Sequence, residues 1–294
     1  MTSGSEGEAA RGLTLPFGGS PVGNGAVDGA QPASAAEVML NKVPEITLLF
    51  WLVKMMSTTV GETGADLLSG TLGWGLPVTS AAVTALLIVA LIAQFRAKSY
   101  EPAKYWVVVL LISVAGTLVS DMLVDLAGVP LTVTTAVFAA LLAIVFFAWW
   151  SQERTLSIHT INTRKREAFY WAAILVTFAL GTSGGDLLGE ALGFGYELSA
   201  LVFLSAVLFI AFAHFALRLN AVFAFWAAYV LTRPLGASFG DLLSQPISAG
   251  GLGMGTVPVS IAFTVCIVAA IAWFVYEQRR AATGRHREME VSVA

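Results

Sequence analysis

Apolar stretches long enough to cross a bilayer recur eight times along this chain, at about 46–68, 76–95, 104–126, 130–150, 168–190, 197–217, 220–243 and 256–276. A helix rises 1.5 Å per residue, so about 20 apolar residues span a hydrocarbon core roughly 30 Å thick. The pattern predicts eight transmembrane helices. The odd-numbered stretches carry a second pattern. Reading every fourth residue, which follows one face of a helix, the first gives Lys54, Thr58, Glu62 and Asp66. The third gives Ser113, Thr117, Asp121 and Asp125, the fifth Thr182, Asp186 and Glu190, and the seventh Tyr229, Arg233, Asp241 and Gln245. Ionisable groups facing lipid cost a few kcal/mol or more each, so these stripes are predicted to turn inward, leaving Leu, Val, Ile, Phe and Ala toward lipid.

The stripes belong to a repeat. Trp51, Trp106, Trp171 and Trp226 each stand ten residues before a glycine, namely Gly61, Gly116, Gly181 and Gly236. Five residues further on come Asp66, Asp121, Asp186 and Asp241. The copies nest: Trp51 and Trp171, like Trp106 and Trp226, are 120 residues apart, and Gly73-Trp74-Gly75 returns at that offset as Gly193-Phe194-Gly195. A fixed period marks one structural unit used several times. The fold expected is therefore an all-α membrane protein of four tandem two-helix repeats, arranged as duplicated four-helix halves at 41–160 and 161–280. The repeats enter from one side, as parallel repeats about axes along the membrane normal do. The tryptophans read as interfacial anchors and the four glycines as helix crossings. A second role for Gly61, Gly64, Gly181, Gly184, Gly185 and Gly240 is to unwind the helix and expose carbonyls.

Composition supports burial in lipid. Hydrophobic residues make up 57% of the 294 and charged ones 12%, against about 25% charged in a soluble domain. Residues 1–40 are rich in Gly, Ala, Ser and Pro, lack the basic start and apolar middle of a secretory signal, and read as a disordered tail. Residues 281–294 read as a charged C-terminal tail. Lys and Arg gather in alternate connections: Arg96, Lys98 and Lys104, then Arg154, Arg164, Lys165 and Arg166, then Arg218, with four more arginines beyond 278. The opposite connections, about 69–75, 127–129, 191–196 and 244–255, have none. The positive-inside bias puts both termini in the cytoplasm. Cys266 stands alone, which excludes intrachain disulfides and cysteine-ligated clusters. His159, His214 and His286 are far apart in sequence, and no haem, zinc or nucleic-acid site is expected.

The chemistry therefore falls to acids. Asp66, Asp121, Asp186 and Asp241, with Glu62, are the candidate ion-binding or pathway residues. The four aspartates are also candidate metal ligands, because carboxylate and hydroxyl oxygens suit hard cations such as Mg, Ca or Mn. Thr58, Thr117, Thr182, Ser183 and Ser238 could add oxygens. Lys54 and Arg233 read as internal counter-ions that pair with Glu62 or a neighbouring aspartate. Five acids against two bases leave a negative excess, which favours a cation; protons could use the same carboxylates. A structural reading stands beside this one, in which the acids bond backbone groups at tight reversals, and it fits Asp125, Glu190 and Gln245 best.

The opening Lys42-Val43-Pro44-Glu45-Ile46-Thr47, followed by Phe50-Trp51, Lys54, Thr58-Thr59, Gly61-Glu62 and Asp66, resembles a bacterial family of uncharacterised membrane-anchored proteins with repeated transmembrane hairpins. The resemblance implies the fold and the location, a multi-pass place in a bacterial inner membrane. A weaker similarity is to repeat-built cation exporters with E-x-G-D signatures, but Glu62-Thr63-Gly64-Ala65-Asp66 has one residue too many. The function expected is transport of a small cation, most simply a divalent metal ion, as substrate with no resident cofactor. The alternative is a non-transporting scaffold or sensor whose acids are structural. An enzyme is not expected: none of the four aspartates sits in the G-x-G-D of an intramembrane aspartyl protease, and no nucleophile-base set appears. The partners are lipid and a small inorganic cation, and a homo-oligomer is compatible with the pattern.

Overall fold

The structure, a computed structural model, describes residues 41–293, in backbone alone from 281 onward. The tail expected at 1–40 lies outside the described residues. Eight α-helices occur among those described. They are α1 Leu48–Asp66, α2 Gly75–Arg96, α3 Pro102–Asp121, α4 Leu131–Glu153, α5 Arg164–Asp186, α6 Gly195–Leu217, α7 Ala221–Ser244 and α8 Thr256–Val293. The charged stretch at 281–293 continues α8 as helix.

Local chemistry explains where the odd helices begin and end. At their starts, the side chains of Thr47, Thr163 and Asn220 accept hydrogen bonds from first-turn N–H groups of α1, α5 and α7, and α3 begins with Pro102. Each device satisfies or removes an N–H that has no partner within the helix. At the far end, α1, α3 and α5 each pass directly after their aspartate into one π-helical turn, Leu67–Thr71, Met122–Leu126 and Leu187–Ala191. The reversal that follows needs a left-handed backbone, which glycine adopts without steric cost. Gly73, Gly75, Gly193 and Gly195 supply it, with φ between +72° and +73°.

Six helical segments are long and apolar enough to cross a membrane by length and composition: α2, α3 with its π turn, α4, α5 with its π turn, α6, and α8 from Thr256 to Arg280. This is compatible with a multi-pass membrane protein. The sequence pattern predicts eight such segments, and α1 and α7 are the two that fall short. Their apolar runs are broken by Lys54, Glu62 and Asp66 and by Arg233 and Asp241, together with buried Ser57, Thr58, Thr59, Thr63, Thr232 and Ser238. The even helices show the reverse. Leu86, Val89, Ile144, Phe147, Phe209, Phe212, Val265 and Val268 are exposed on them, an apolar surface far too extensive for a soluble monomer.

The four odd helices form a closed ring in which α1 packs on α3, α3 on α5, α5 on α7 and α7 on α1. The four repeated glycines set its tightness. A Cβ added at Gly61 would run into the Ser113 side chain, and one at Gly116 would lie 2.6 Å from the Cβ of Phe178. At Gly181 it would strike the stem of Arg233, and at Gly236 the side chain of Thr58. Each residue struck stands three positions before the glycine of the next repeat. One contact, used four times, therefore closes the circle. The glycines are crossing points, and the helices do not unwind at them, since α1 and α5 run unbroken through Gly61, Gly64, Gly181, Gly184 and Gly185.

The even helices form an outer layer with an unexpected partner choice. Each docks on the first helix of the following repeat: α2 on α3, α4 on α5, α6 on α7, and α8 on α1. The halves at 41–160 and 161–280 thus interlock through α4–α5 and α8–α1. The ring predicts that Gly116→Ala lowers the unfolding temperature in detergent, with a cost of about 1–3 kcal/mol for overpacking against backbone, because Ala179 N and Phe178 C lie 3.0 Å from the added methyl. Gly70→Ala, which meets nothing within 4 Å, should leave the melt unchanged. Equal melts for the two variants would show that the helices have room to spare.

Candidate functional site

The side chains at every fourth position of the odd helices stack in layers about the ring axis. Nearest the basic connections lie Phe50, Tyr105, Tyr170 and Phe225, then Lys54, Val109, Ile174 and Tyr229, then Thr58, Ser113, Phe178 and Arg233. Next come Glu62, Thr117, Thr182 and Ala237. All sixteen are buried. Beyond them stand the four aspartates, of which Asp241 is buried and Asp66, Asp121 and Asp186 are half-buried, and then exposed Asp125 and Glu190 with half-buried Gln245. The first four layers are buried throughout and exposure begins only at the aspartates, so the axis is closed at the basic end and opens as a funnel toward the glycine-turn end.

Its narrow part is held by Arg233, which is fully buried. Nη2 donates to Thr117 Oγ1 at 2.5 Å, to Thr182 Oγ1 at 2.7 Å and to Glu62 Oε2 at 3.2 Å, and Nη1 donates to the Thr58 carbonyl at 3.4 Å. Thr117 Oγ1 also donates to Glu62 Oε2 at 3.3 Å. Three of the four residues in the layer above thus bond one nitrogen, and the fourth, Ala237, is small. Gly181 admits the arginine stem, and the Phe178 ring lies 5.3 Å from the guanidinium. The Arg233–Glu62 pair is the counter-ion arrangement the sequence suggests.

Lys54 departs from it. Its ammonium donates to the Tyr229 carbonyl at 2.8 Å and to Thr232 Oγ1 at 2.5 Å, and lies 4.4 Å from the centre of the Tyr229 ring. No carboxylate is within ion-pairing reach of it among the described residues. The acids sit on the far side of Arg233, and the neighbouring layer offers carbonyl, hydroxyl and ring faces instead. A cation over an aromatic face gains about 2 kcal/mol when desolvated, which offsets part of its burial.

Above the arginine, ligand oxygens of Glu62, Asp186 and Asp241 lie within 4.8 Å of one another. The Asp186 carboxylate accepts no hydrogen bond among the described residues. Asp66 accepts from Gln245 Nε2 at 3.5 Å, and Glu62 is within electrostatic range of all four aspartates. Oxygens on opposite sides of a Mg- or Ca-sized ion are about 4–5 Å apart, so this triad has the spacing of a hard-cation site. Asp66 and Asp121 lie on the same level outside it. Of the hydroxyl candidates, Thr117 and Thr182 are in the arginine cluster and Thr58 enters through its carbonyl. The Thr58 and Ser183 hydroxyls bond their own helices, to Met55 O and Leu180 O, and buried Ser238 makes no bond to the cluster.

The tryptophans are placed differently from the interfacial anchors expected. Trp106, Trp171 and Trp226 are buried, and Trp51 half-buried. They surround a floor in which Tyr105 and Tyr170 share a hydrogen bond of 2.6 Å, Tyr105 packs on Trp106 and Trp171, and Trp226 packs on Phe225 and Tyr229. The outer helices cover them, Phe274 of α8 stacking on Trp106 and Phe146 of α4 meeting Trp226. Sequence reading passed over this floor, although extending the every-fourth-residue stripe backward from Lys54 and Tyr229 reaches Phe50 and Phe225, with Tyr105 and Tyr170 at the same place in their repeats.

Removing one partner of a buried ion pair leaves an uncompensated charge and costs roughly 3–5 kcal/mol. Arg233→Met is therefore expected to destabilise the protein strongly in thermal unfolding, and adding Glu62→Gln should recover much of that loss. Losses that simply add would show that the two side chains are not coupled.

A family model described as a Repeat of Unknown Function (DUF347) matches residues 49–100, 104–155, 169–219 and 224–280. Each match takes in one odd helix and the even helix after it. No curated protein and no solved structure matches. The fourfold ring of interlocked helix pairs is thus built from four copies of that repeat, and the chain belongs to the DUF347 repeat family.

Proposed function

We propose that this chain is an integral membrane transporter of a small hard cation, best a divalent metal ion, bound in the carboxylate funnel. In this reading all eight helices cross a bacterial inner membrane with both termini in the cytoplasm, and the funnel opens to the opposite side. The observation that carries it is the convergence of Glu62, Asp186 and Asp241 from three helices of the ring. Two carboxylates 4.8 Å apart repel by roughly 3.5 kcal/mol at an effective dielectric of 20. A divalent ion between them reverses the sign of that interaction. The donors are oxygens only, which favours Mg, Ca or Mn over metals that prefer thiolate or imidazole. Exposed Asp125 and Glu190 at the mouth add to the attraction felt by a cation approaching from solvent.

A second reading, a sensor or scaffold that binds without transporting, draws on a specific observation as well. The aromatic floor below Arg233 is fully buried around Tyr105, Trp106, Tyr170 and Tyr229, so in this conformation the funnel is closed at its basic end. A transporter must open there, and a sensor need not.

Flux and binding separate the two. In proteoliposomes, Asp186→Asn and Asp241→Asn are each expected to cut Mn²⁺ flux about tenfold or more, since a charged ligand is replaced by a neutral one, with gel-filtration profiles unchanged. Wild-type flux from both variants would refute the carboxylate site. Tight Mn²⁺ binding with no flux in the wild type would favour the sensor.

A further inference from the structure

We infer that Arg233 is a resident cation of the funnel, which competes with an arriving metal ion for Glu62 and must let go of it when the ion binds. This deepens the cation reading and rests on it.

The geometry makes Glu62 a shared group. Its carboxylate accepts from Arg233 Nη2 at 3.2 Å and is also one corner of the triad with Asp186 and Asp241. One carboxylate cannot serve both cations at full strength. Electron density drawn to a metal ion weakens its bond to the guanidinium, and two positive groups held against one carboxylate repel each other. The arginine is also anchored apart from Glu62. Thr117 and Thr182 bond the same nitrogen at 2.5 and 2.7 Å, closer than the glutamate, and the Phe178 ring lies 5.3 Å away. Losing Glu62 therefore leaves the guanidinium held by neutral oxygens.

An independent observation shows that this layer has unused capacity. Ser113 stands at the position of Arg233 in its own repeat, is fully buried, and its hydroxyl has no hydrogen-bond partner. Arg233 Nε is likewise buried and without a partner. Ser113 Oγ lies against Gly61 at the α1–α3 crossing, so it is Arg233 Nε, a buried donor whose unpaired state costs free energy, that gives the guanidinium something to gain from a change of position. The arginine is thus a positioning residue, holding the carboxylate until an ion takes it, and its charge sets how strongly an ion must bind to do so.

Mn²⁺ binding to the purified full chain in lipid nanodiscs, followed by calorimetry, tests this. Arg233→Gln should bind Mn²⁺ about tenfold or more tightly than wild type, the loss of one competing charge being worth at least a decade in affinity. Arg233→Lys should stay near wild type. In Arg233→Ala, millimolar guanidinium chloride should weaken Mn²⁺ binding back toward the wild-type value, while leaving the wild type unaffected. A purely structural arginine predicts neither the tighter binding of Arg233→Gln nor the guanidinium effect in Arg233→Ala. Should the Arg233 variants not fold, Thr117→Val with Thr182→Val decides: without its neutral partners the arginine leans on Glu62, and Mn²⁺ affinity should fall severalfold. Affinity indifferent to every change would overturn the inference while leaving the cation site standing. A wild type that binds no Mn²⁺ would remove the cation site itself.

Discussion

A guanidinium can stand in the middle of a helix ring only if oxygens meet it there, and most of what is unusual in this protein follows from that requirement. Arg233 needs a carboxylate from α1, hydroxyls from α3 and α5, and space for its stem beside Gly181. It therefore fixes the relative height of all four odd helices. The repeated glycines bring the backbones close enough for a single side chain to touch three neighbours, so packing and electrostatics are parts of one arrangement. The ring depends on this polar network, in which the guanidinium's terminal nitrogens find oxygens from three helices while Nε stays unpaired.

Repetition and asymmetry divide the work. The glycine contact and the aspartate recur four times, and they make the circle and the acidic mouth. The layers between break the pattern, with Lys54, Tyr229, Arg233, Phe178 and Glu62 each occurring once at their positions. A strictly symmetric ring would place four identical charges at each level, which no internal counter-charge could balance. Divergence of the repeats lets one layer hold base, ring and hydroxyl and the next hold acid and hydroxyl, so that opposite charges meet across neighbouring levels.

The inward stripes were legible in the sequence because helical periodicity and an apolar surround together leave polar side chains only one place to go, whereas the closed ring of odd helices is a tertiary fact. The Arg233–Glu62 pair was legible for the same reason. The fate of Lys54 was not, since a lysine and an aspartate on one stripe give no hint that an arginine will stand between them. The tryptophans were misplaced because a position near the end of an apolar run looks interfacial, whereas the docking of α8 and α4 over Trp106 and Trp226 is a tertiary fact. Nor does connectivity reveal that each second helix leaves its own partner for the next one. A short turn between helices fixes adjacency, and here Gly73 and Gly75 swing the chain outward.

That exchange of partners has a consequence for assembly. The two helices least able to rest alone in hydrocarbon, α1 and α7, are separated by five others in the chain and yet are each other's neighbours, sharing Lys54, Thr59, Glu62 and Arg233 in their bonds. During synthesis the first of them leaves the ribosome long before the second, and its outer flank stays bare until α8 arrives. Lys54 and Glu62 therefore gain their bonds to Tyr229 and Arg233 only once α7 has been made, so the ring closes late in synthesis and in one step rather than helix by helix.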